Sequence, residues 1–488
     1  MGKHFSEIGN IYLHDKWQFE LKSDFLPNPA VPQNIYSQEF FIFVPNALQI
    51  QNKTYTRADF YRDQTNYVRY KTPEFTFENL LDPNNRSSPL VELSYLNDSR
   101  EDISHIEFQI KLLGNIFRST LRDTVSYIAK HPSAEKVKEL CKDIRSFRER
   151  EKELAKLFTK HPEAQAINQL FQYLTEFNSN TINTKLSHLY QWTKDETFFP
   201  DIENSIVSIM REEQDFRENY GLETEELENT SHKNEYIVYR RKLLDKFIAQ
   251  VLFLNINRFS TKKAFRNVIG AFSAGIAMLV FMILFVHGGE VLVINSTPFI
   301  MATVLFYILK DRIKEGLRNI SFKIAFKWFP DYTTKIYSND NQILLGELKE
   351  SFSLINRNAI PKEIENIRKT SFRTIFDQIK RPETVIYHKK TVDIHSPPPL
   401  VPKMKQGLNI IFRLNIFRFL HKASDPLYTF TKLDKDNQLI SVNLPKVYHL
   451  NIIVKNTFMN EDLEEEIEYK NYRVVIDKNG IHRVETLS

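Results

Sequence analysis

Twenty consecutive residues without a charge, Asn267 to Val286 (NVIGAFSAGIAMLVFMILFV), decide the architecture of this chain. At about 1.5 Å of rise per residue, a helix of this length covers about 30 Å, the thickness of the hydrocarbon core of a bilayer. A buried helix in a large soluble core is the alternative, but a second uncharged run follows closely. The two runs together therefore predict a membrane protein held by a two-helix transmembrane hairpin.

The second uncharged run, Val291 to Leu309, is less regular because a polar stretch from Asn295 to Pro298 lies inside it. A helix that began only at Pro298 would be too short to cross a bilayer unaided. We predict instead a helix that begins near Val291 and kinks at Pro298; the alternative is that the following basic side chains snorkel to the interface. The predicted hairpin covers residues 261–312, with spans at about 267–286 and 291–309.

Basic residues flank both ends of the hairpin, whereas its connecting loop (HGGE) has no Lys or Arg. Cytoplasmic flanks of membrane spans carry the excess of Lys and Arg, so this pattern predicts a multi-pass topology with both termini in the cytoplasm. The basic residues are Arg258, Lys262, Lys263 and Arg266 before the first span, and Lys310, Arg312, Lys314 and Arg318 after the second.

The first span carries small residues at a spacing of four, which would form a face that another helix can approach closely. The partner that we predict first is the second span of the same hairpin, with a homo-oligomer or another membrane protein as the alternative. Neither span contains Asp, Glu, Lys or Arg, so neither offers residues for ion-coupled transport. The small residues are Gly270 and Ala274, Ala271 and Gly275, and Ser273 and Ala277.

Composition indicates that most of the 488 residues fold in water. Hydrophobic residues make up 42% and charged residues 26%, which is ordinary for globular protein and sufficient for two or three domains. The net charge of +5 is too small for a nucleic-acid-binding protein. The single cysteine, Cys141, excludes an intramolecular disulfide and suits a reducing compartment.

The part of the chain before the hairpin predicts a β-rich region followed by a helical one. In residues 1–100, apolar residues alternate from Trp17 to Leu21, and the stretch from Gln38 to Val44 is apolar on both faces, as in a central strand. Residues 101–260 have helical periodicity. The two segments that contain Lys-His-Pro, Tyr127 to Phe147 and Leu157 to Phe177, resemble each other at an offset of thirty residues. Two helices of one bundle are predicted, with a helical repeat protein as the alternative.

The part after the hairpin predicts a helical juxtamembrane region, 313–382, and a β-rich C-terminal domain, 383–488. Helices are expected at about Asn341 to Ile355 and Pro361 to Ile379, and we expect the helical regions on both sides of the hairpin to pack into one bundle. β-Hairpins are predicted around Asp434 to Asn437 and at the Asn-Gly turn in Asp477 to Gly480. The fold class is thus an α+β membrane protein.

No combination of residues in the sequence predicts a catalytic, cofactor or metal site. The thirteen histidines are scattered, and their densest group is His388, Asp393 and His395. On a strand, positions 388 and 395 point to opposite faces and would not converge. Cys141 lies on the apolar side of its helix, which is typical of a small core residue rather than a nucleophile. Phosphate-binding and dinucleotide-binding motifs are absent from the sequence.

These observations favour a membrane-anchored cytoplasmic interaction or scaffold protein. Its predicted partners are the lipid bilayer and a protein partner or a second copy of the chain, without nucleic acid. The alternatives are a membrane-tethered enzyme whose site is not visible in the sequence, and a channel or transport subunit formed by oligomers of the hairpin. A concave site that gathers carboxylates or histidines from the two β-rich ends would favour the enzyme.

Overall fold

Strands from both ends of the chain pair in the middle of one antiparallel sheet. The computed structural model describes residues 10–28, 34–97, 102–222, 232–291, 296–338, 343–370, 382–395, 407–435, 438–459 and 464–487. They form two units. The β unit consists of Met1–Val68, Asn255–Pro397 and Asn409–Ser488, and the helical unit consists of Arg69–Leu254 and Pro398–Leu408.

The described strands form three sheets. One has eight strands in the order β14-β13-β12-β3-β8-β7-β6-β5, one has four in the order β1-β2-β9-β4, and β10 and β11 pair only with each other. The strands are β1 Asn10–Asp15, β2 Gln18–Phe25, β3 Asn34–Pro45, β4 Gln64–Tyr70, β5 Asn255–Phe259, β6 Tyr332–Tyr337, β7 Leu344–Ile355, β8 Glu383–Ile394, β9 Leu408–Asn415, β10 Leu427–Leu433, β11 Leu439–Pro445, β12 Tyr448–Met459, β13 Glu465–Asp477 and β14 Gly480–Leu487.

Strand β3 is the central strand that the sequence predicts. It pairs with β8 on one side and β12 on the other, so the N- and C-terminal β-rich portions share one sheet. Its side chains are buried on both faces: Phe40 and Ile42 join the core against the four-stranded sheet, whereas Phe41 and Phe43 pack in a second cluster with Ile364. A strand covered on both faces needs an unbroken apolar run, which is why the run could be recognised.

Both predicted β-hairpins of the C-terminal region are confirmed. β10 and β11 pair antiparallel through the end at Leu433 and Leu439, and β13 turns into β14 with Asp477 opposite Gly480. The Asp477 carboxylate accepts hydrogen bonds from two backbone N–H groups of the turn. Gly480 has a φ of +141°, and a Cβ there would lie 2.5 Å from a backbone oxygen, so glycine is required at this position.

The helical unit contains the predicted bundle. The two Lys-His-Pro segments each end one helical stretch and precede the next helix, which begins at Ala134 or Ala164. Cys141 is buried in this core, as the sequence indicates. The described helices are α1 Arg57–Asp63, α2 Phe77–Leu81, α3 Pro89–Leu96, α4 Ile103–Lys130, α5 Ala134–Leu157, α6 Ala164–Thr193, α7 Phe199–Asn219, α8 His232–Ala249, α9 Thr261–Val291, α10 Thr297–Trp328 and α11 Lys362–Thr370.

Two predictions for the region after the hairpin are wrong. Of the helix predicted from Asn341 to Ile355, the part Leu344–Ile355 is strand β7, and residues 341–342 lie outside the described part. Gly346 and Glu350 occupy inward positions of this strand, so its apolar residues do not alternate regularly in the sequence. Gly346 is needed at its position because a Cβ there would lie 2.2 Å from a backbone oxygen of β8. The two helical regions also do not form one bundle, since residues 255–397 belong to the β unit. Of the helix predicted at Pro361 to Ile379, Lys362–Thr370 is α11, and residues 371–381 lie outside the described part.

Candidate functional site

Helix α9 exposes its apolar side chains. In the described part of the chain, Asn267–Glu290 is the one helical segment long and apolar enough to cross a membrane, with a mean hydropathy of 2.5. A core helix of a soluble protein would be mostly buried, whereas only 11% of the most apolar 18 residues of this segment are buried. The large side chains that lie open include Val268, Phe272, Met278, Leu279, Met282, Ile283 and Val286. This exposure supports membrane association.

Helix α10 packs antiparallel against α9 and returns the chain to the β unit. The rings of Phe285 and Phe299 lie 5.6 Å apart near one end of the pair, and those of Phe265 and Phe329 lie 3.8 Å apart near the other. At the base of the pair, the hydroxyl groups of Thr261, the first residue of α9, and Thr333 of β6 are 2.8 Å apart. The two helices are therefore a long insertion between neighbouring strands.

The second predicted span differs from the structure. Val291 ends α9, and α10 begins at Thr297, so Pro298 lies in a first helical turn and the predicted kink does not occur. The uncharged part of α10, Thr297 to Leu309, covers about 20 Å before the charges begin at Lys310. Unlike α9, helix α10 has no stretch that is both long and apolar enough to cross a membrane. The described residues thus support one membrane-spanning helix and do not confirm a two-span hairpin.

The small residues of α9 fall into different environments. Ser273 and Ala277 are buried, Gly270 and Ala274 are half-buried, and Ala271 and Gly275 are exposed. A Cβ added at either Gly270 or Gly275 would meet no atom within 4 Å. The close approach within the pair lies instead at Gly288, where a Cβ would be 3.2 Å from the Phe306 ring. A helix partner for the exposed pair remains a prediction.

A basic groove lies between α6, α7 and α8 of the helical unit. Its volume is about 810 Å³, in the range of small-ligand sites, and its lining includes Arg211, Arg217 and Arg241. None of the described residues that line it is Asp or Glu. Arg217 is only 4% exposed and donates to Asn180 Oδ1 at 2.6 Å. Sequence reasoning missed this groove because its arginines come from two different helices and converge only in the bundle.

A cavity of about 280 Å³ adjoins this groove and shares Arg217 and Arg241 with it. On its wall, Arg240 donates to both carboxylate oxygens of Glu176, at 2.7 and 2.6 Å. This bidentate pair stabilises the protonated guanidinium and raises the pKa of Arg240. The pair fixes α8 against α6, so the arginines beside it are held in place relative to the groove.

A buried charged cluster occupies the core of the β unit. Glu350 of β7 lies opposite Lys390 of β8, and His388 is on the same inward face. The carboxylate accepts a hydrogen bond from Gln64 at 3.0 Å and forms an ion pair with Arg258 at 3.2 Å. Burial raises the pKa of Glu350. Burial also lowers the pKa of Lys390 to about 7, although Glu350 opposes this shift.

His388 is the one member of the sequence group around 388–395 that enters this cluster. Its Nδ1–H donates to the carbonyl of Ser351 at 3.1 Å, and Nε2 lies 3.6 Å from Glu350 Oε1. Burial holds the pKa of His388 well below its usual value, so the ring is neutral. Asp393 is half-buried on the other face of β8, and His395 is exposed beyond the strand.

This cluster resembles catalytic groups in its chemistry but not in its access. Burial shifts the pKa values of the Lys390 ammonium and the Glu350 carboxyl group toward each other, as it does for general acids and bases. However, His388 and Lys390 have no solvent exposure, and neither of the two cavities described above reaches them. The core thus encloses the side chains of His388 and Lys390. Burial likewise raises the pKa of the Cys141 thiol to about 11, which makes it a poor nucleophile.

Among the residues that the structure describes, no set of three or more His, Cys, Asp or Glu side chains is placed to hold a metal ion. No protein-family model matches the chain, and comparison with curated proteins and with solved structures likewise gives no match. The functional proposal consequently rests on the exposed apolar helix and on the basic groove.

Proposed function

We propose that this chain is a membrane-anchored interaction protein, which α9 holds at a bilayer and whose two units bind a partner on the cytoplasmic side. The observation that carries the proposal is the exposure of large apolar side chains along α9. Soluble monomeric proteins rarely expose an apolar surface of this extent, because water penalises it in proportion to its area. A bilayer removes that penalty.

The antiparallel pairing of α9 and α10 supports a location of both units on the same side of the membrane. A helix pair that begins and ends at neighbouring strands returns the chain to the side from which it left. The basic residues that flank the pair favour the cytoplasmic face. We propose further that the pair crosses the bilayer, with the side chain of Lys310 extending toward the interface to lengthen the short apolar part of α10.

The basic groove supports binding of an acidic partner. Guanidinium groups recognise carboxylates and phosphates through paired hydrogen bonds. Arg211 is exposed at the rim of the groove, and the half-buried Arg241 and the buried Arg217 add positive charge to its lining. A scaffold function needs such a rigid, charge-selective surface and requires no chemistry. We therefore expect the helical unit to hold a protein segment rich in Asp, Glu or phosphorylated residues.

The anchor is tested by extracting membranes that contain the full chain with alkaline carbonate. The wild-type chain should stay with the bilayer. The double substitution Leu279→Lys and Ile283→Lys should release it, since each charge near the centre of a bilayer costs about 2.5–3.5 kcal/mol. The matched control, Leu279→Met with Ile283→Val, should behave as the wild type. Complete extraction of the wild-type chain would disprove the anchor.

The crossing is tested with a membrane-impermeant thiol reagent in a Cys141→Ser background. His287→Cys lies near the tip of the pair and is exposed, so a crossing pair predicts labelling from the outside of intact cells. Lys435→Cys, at the β10–β11 turn, should be labelled only after the membrane is permeabilised. Labelling of both positions only after permeabilisation would show that the pair enters the bilayer without crossing it.

The groove is tested by copurification from mild detergent after crosslinking. Arg211→Glu reverses an exposed charge at the rim and should remove a stoichiometric partner. Arg150→Glu, an exposed arginine of α5 away from the groove, serves as the control and should retain it. Equal recovery of the partner with both variants would place the interaction elsewhere. Recovery of only further copies of this chain would favour a homo-oligomer.

A further inference from the structure

Both ends of the α9–α10 pair are connected to the same buried residue, Glu350 of β7. On the α9 side, Arg258 of β5 forms an ion pair with the Glu350 carboxylate at 3.2 Å, and α9 begins at Thr261. On the α10 side, the backbone N–H of Asp331 donates to the carbonyl of Glu350 at 2.7 Å. Glu350 is only 1% exposed, so the helix pair is connected directly to the core of the β unit.

The α10 side of this connection is held by several contacts. The carboxylate of Asp331 accepts hydrogen bonds from the Tyr61 hydroxyl at 2.9 Å and from the backbone N–H of Phe352 at 2.7 Å. It also forms an ion pair with Arg57 at 3.1 Å. Hydrogen bonds to a charged acceptor are the stronger ones in proteins. The end of α10 is therefore fixed to both α1 and β7.

The α9 side is held by fewer contacts. β5 is a strand of five residues at the edge of its sheet, and among the described strands it pairs only with β6. Arg258 reaches across β6 to Glu350, and its guanidinium lies 4.2 Å from the Tyr332 ring. The side chain of Arg258 is a third exposed, so water can solvate it away from Glu350. Because short edge elements open at a lower free energy than a core strand does, a displacement of α9 acts first on this pair.

Lys390 offers Glu350 a second cation. It lies opposite Glu350 on β8, and its side chain is fully buried. The ammonium donates to Asn66 Oδ1 at 3.5 Å, and Asn66 Nδ2 donates to the Glu350 carboxylate. The rings of Phe40 and Phe412 lie 5.1 and 5.4 Å from the ammonium. One amide thus bridges the lysine and the carboxylate inside an aromatic enclosure.

The electrostatics of this site make the second cation available when the first one leaves. Burial lowers the pKa of Lys390 to about 7, and Glu350 opposes this shift. His388 beside it is neutral, because burial holds its pKa well below the usual value. Without Arg258, the carboxylate acts more strongly on the lysine and favours its protonated form. A buried carboxylate with no cation is strongly disfavoured, so Lys390 lowers the free energy of a state in which Arg258 has left.

We propose that Glu350 is a two-position switch at the base of α9. It pairs with Arg258 while β5 lies against β6, and with Lys390 when α9 draws β5 away from the sheet. Movement of the helix pair then reaches the core of the β unit as a change of partner at one carboxylate. The role of the bilayer in moving α9 rests on the proposed anchor, whereas the change of partner does not.

The change of partner is tested by thiol labelling of the full chain in mild detergent, in a Cys141→Ser background. Thr334→Cys is the reporter, because Thr334 lies opposite Arg258 and is only 4% exposed. Val474→Cys, at a buried position of β13, reports opening of the whole β unit. In the otherwise unchanged chain, 334 should be labelled faster than 474, since the edge opens without the rest of the unit.

The two members of the strand pair should shift this rate in opposite directions. Glu350→Gln should speed labelling at 334 by about 10-fold, because Arg258 loses its partner. Lys390→Met should slow it by about 10-fold, because the displaced state loses its second cation. Lys390→Gln is a second uncharged variant and should slow it likewise, and labelling at 474 shows whether each variant folds. The control Glu347→Gln, on the same strand, should leave the rate unchanged.

Faster labelling at 334 in both Lys390 variants would overturn the switch, because Lys390 would then only stabilise the closed sheet. A second arm uses vesicles of short-chain and of long-chain phosphatidylcholine, since bilayer thickness changes the tilt of a membrane helix. Labelling at 334 should differ between the two vesicles, and Lys390→Met should remove the difference. Equal labelling in both, with the chain retained after carbonate extraction, would overturn the transmission and leave the anchor intact. Loss of the chain from the vesicles would overturn the anchor, while the detergent result still decides the change of partner.

Discussion

The two units of this protein bury charges in different ways. In the helical unit, Arg148 donates to both oxygens of Glu213 at 2.9 Å and to Glu151 at 2.6 Å. In the β unit, Glu350 forms an ion pair with Arg258 at 3.2 Å and lies opposite Lys390 on the neighbouring strand. The helical cluster matches donors to acceptors in good geometry. The β cluster surrounds one carboxylate with the Gln64 amide, the Arg258 guanidinium and a lysine whose pKa is lowered by burial.

This difference determines how each cluster responds to loss of a partner. The pKa of Arg148 is raised by its two carboxylates against the effect of burial, so it stays charged. Lys390, by contrast, has a pKa lowered to about 7 and can release its proton near neutral pH. A buried charge that can neutralise itself is less costly to leave without a partner. The helical cluster should therefore be the more sensitive of the two.

The largest effect is expected for Arg148→Ala. It leaves two buried carboxylates, Glu151 and Glu213, without their cation, and breaking such a network costs about 3–5 kcal/mol. Cys141 lies buried on the same helix and is the only thiol of the chain, so its labelling rate measures opening of the helical unit. Labelling of the variant should be more than about 100-fold faster, as a loss of this size requires.

The control is Arg145→Ala on the same helix, whose pair with Glu212 is exposed. Exposed pairs contribute about 0–1 kcal/mol, so labelling should change by about fivefold or less. Similar rates for the two variants would show that burial does not distinguish the two ion pairs.

For Glu350→Gln we expect a smaller loss of unfolding free energy, about 2 kcal/mol. The amide keeps the shape of the side chain but removes the charge, and Lys390 can then release its proton. Urea unfolding followed through Trp17, after Trp192→Phe and Trp328→Phe, reports on the β unit. Glu347→Gln on the same strand is the control, because its pair with Lys349 is partly exposed. A loss for Glu350→Gln larger than for Arg148→Ala would reverse the comparison.

The pH dependence of the β unit should identify Lys390. Its pKa is about 7 in the folded chain and 10.5 when unfolded, so between these values the unfolded chain binds more protons. Stability must then rise with pH across this window, by up to about 1.4 kcal/mol per pH unit. Lys390→Met should flatten the rise between about pH 7 and pH 9. An unchanged slope in Lys390→Met would assign the titration to another group.

Sequence reasoning identified the features that depend on neighbouring residues. The uncharged run of α9, the run of β3 that is apolar on both faces and the Asp477–Gly480 turn are all local patterns, and the structure has helix, strand and turn there. The charged clusters depend on contacts between distant residues. Gln64 and Glu350 are 286 positions apart, and Arg148 and Glu213 are 65 apart. Glu350 even misled the prediction, since a carboxylate at an inward position disguises a strand as an amphipathic helix.

The smallest change in unfolding free energy is expected when Glu350 and Lys390, which face each other on neighbouring strands, are both replaced, in Glu350→Gln with Lys390→Met. Removing a buried charge together with its partner is often neutral, so the double variant should lie within about 1 kcal/mol of the wild type. Arg258 then loses its carboxylate but stacks on the Tyr332 ring at 4.2 Å and is a third exposed, so water solvates it. The same urea titration measures all variants in a double-mutant cycle. A double variant that instead loses as much unfolding free energy as the two single variants together would show that Glu350 acts mainly on Arg258. The proton-dependent character of the cluster would then not depend on Lys390.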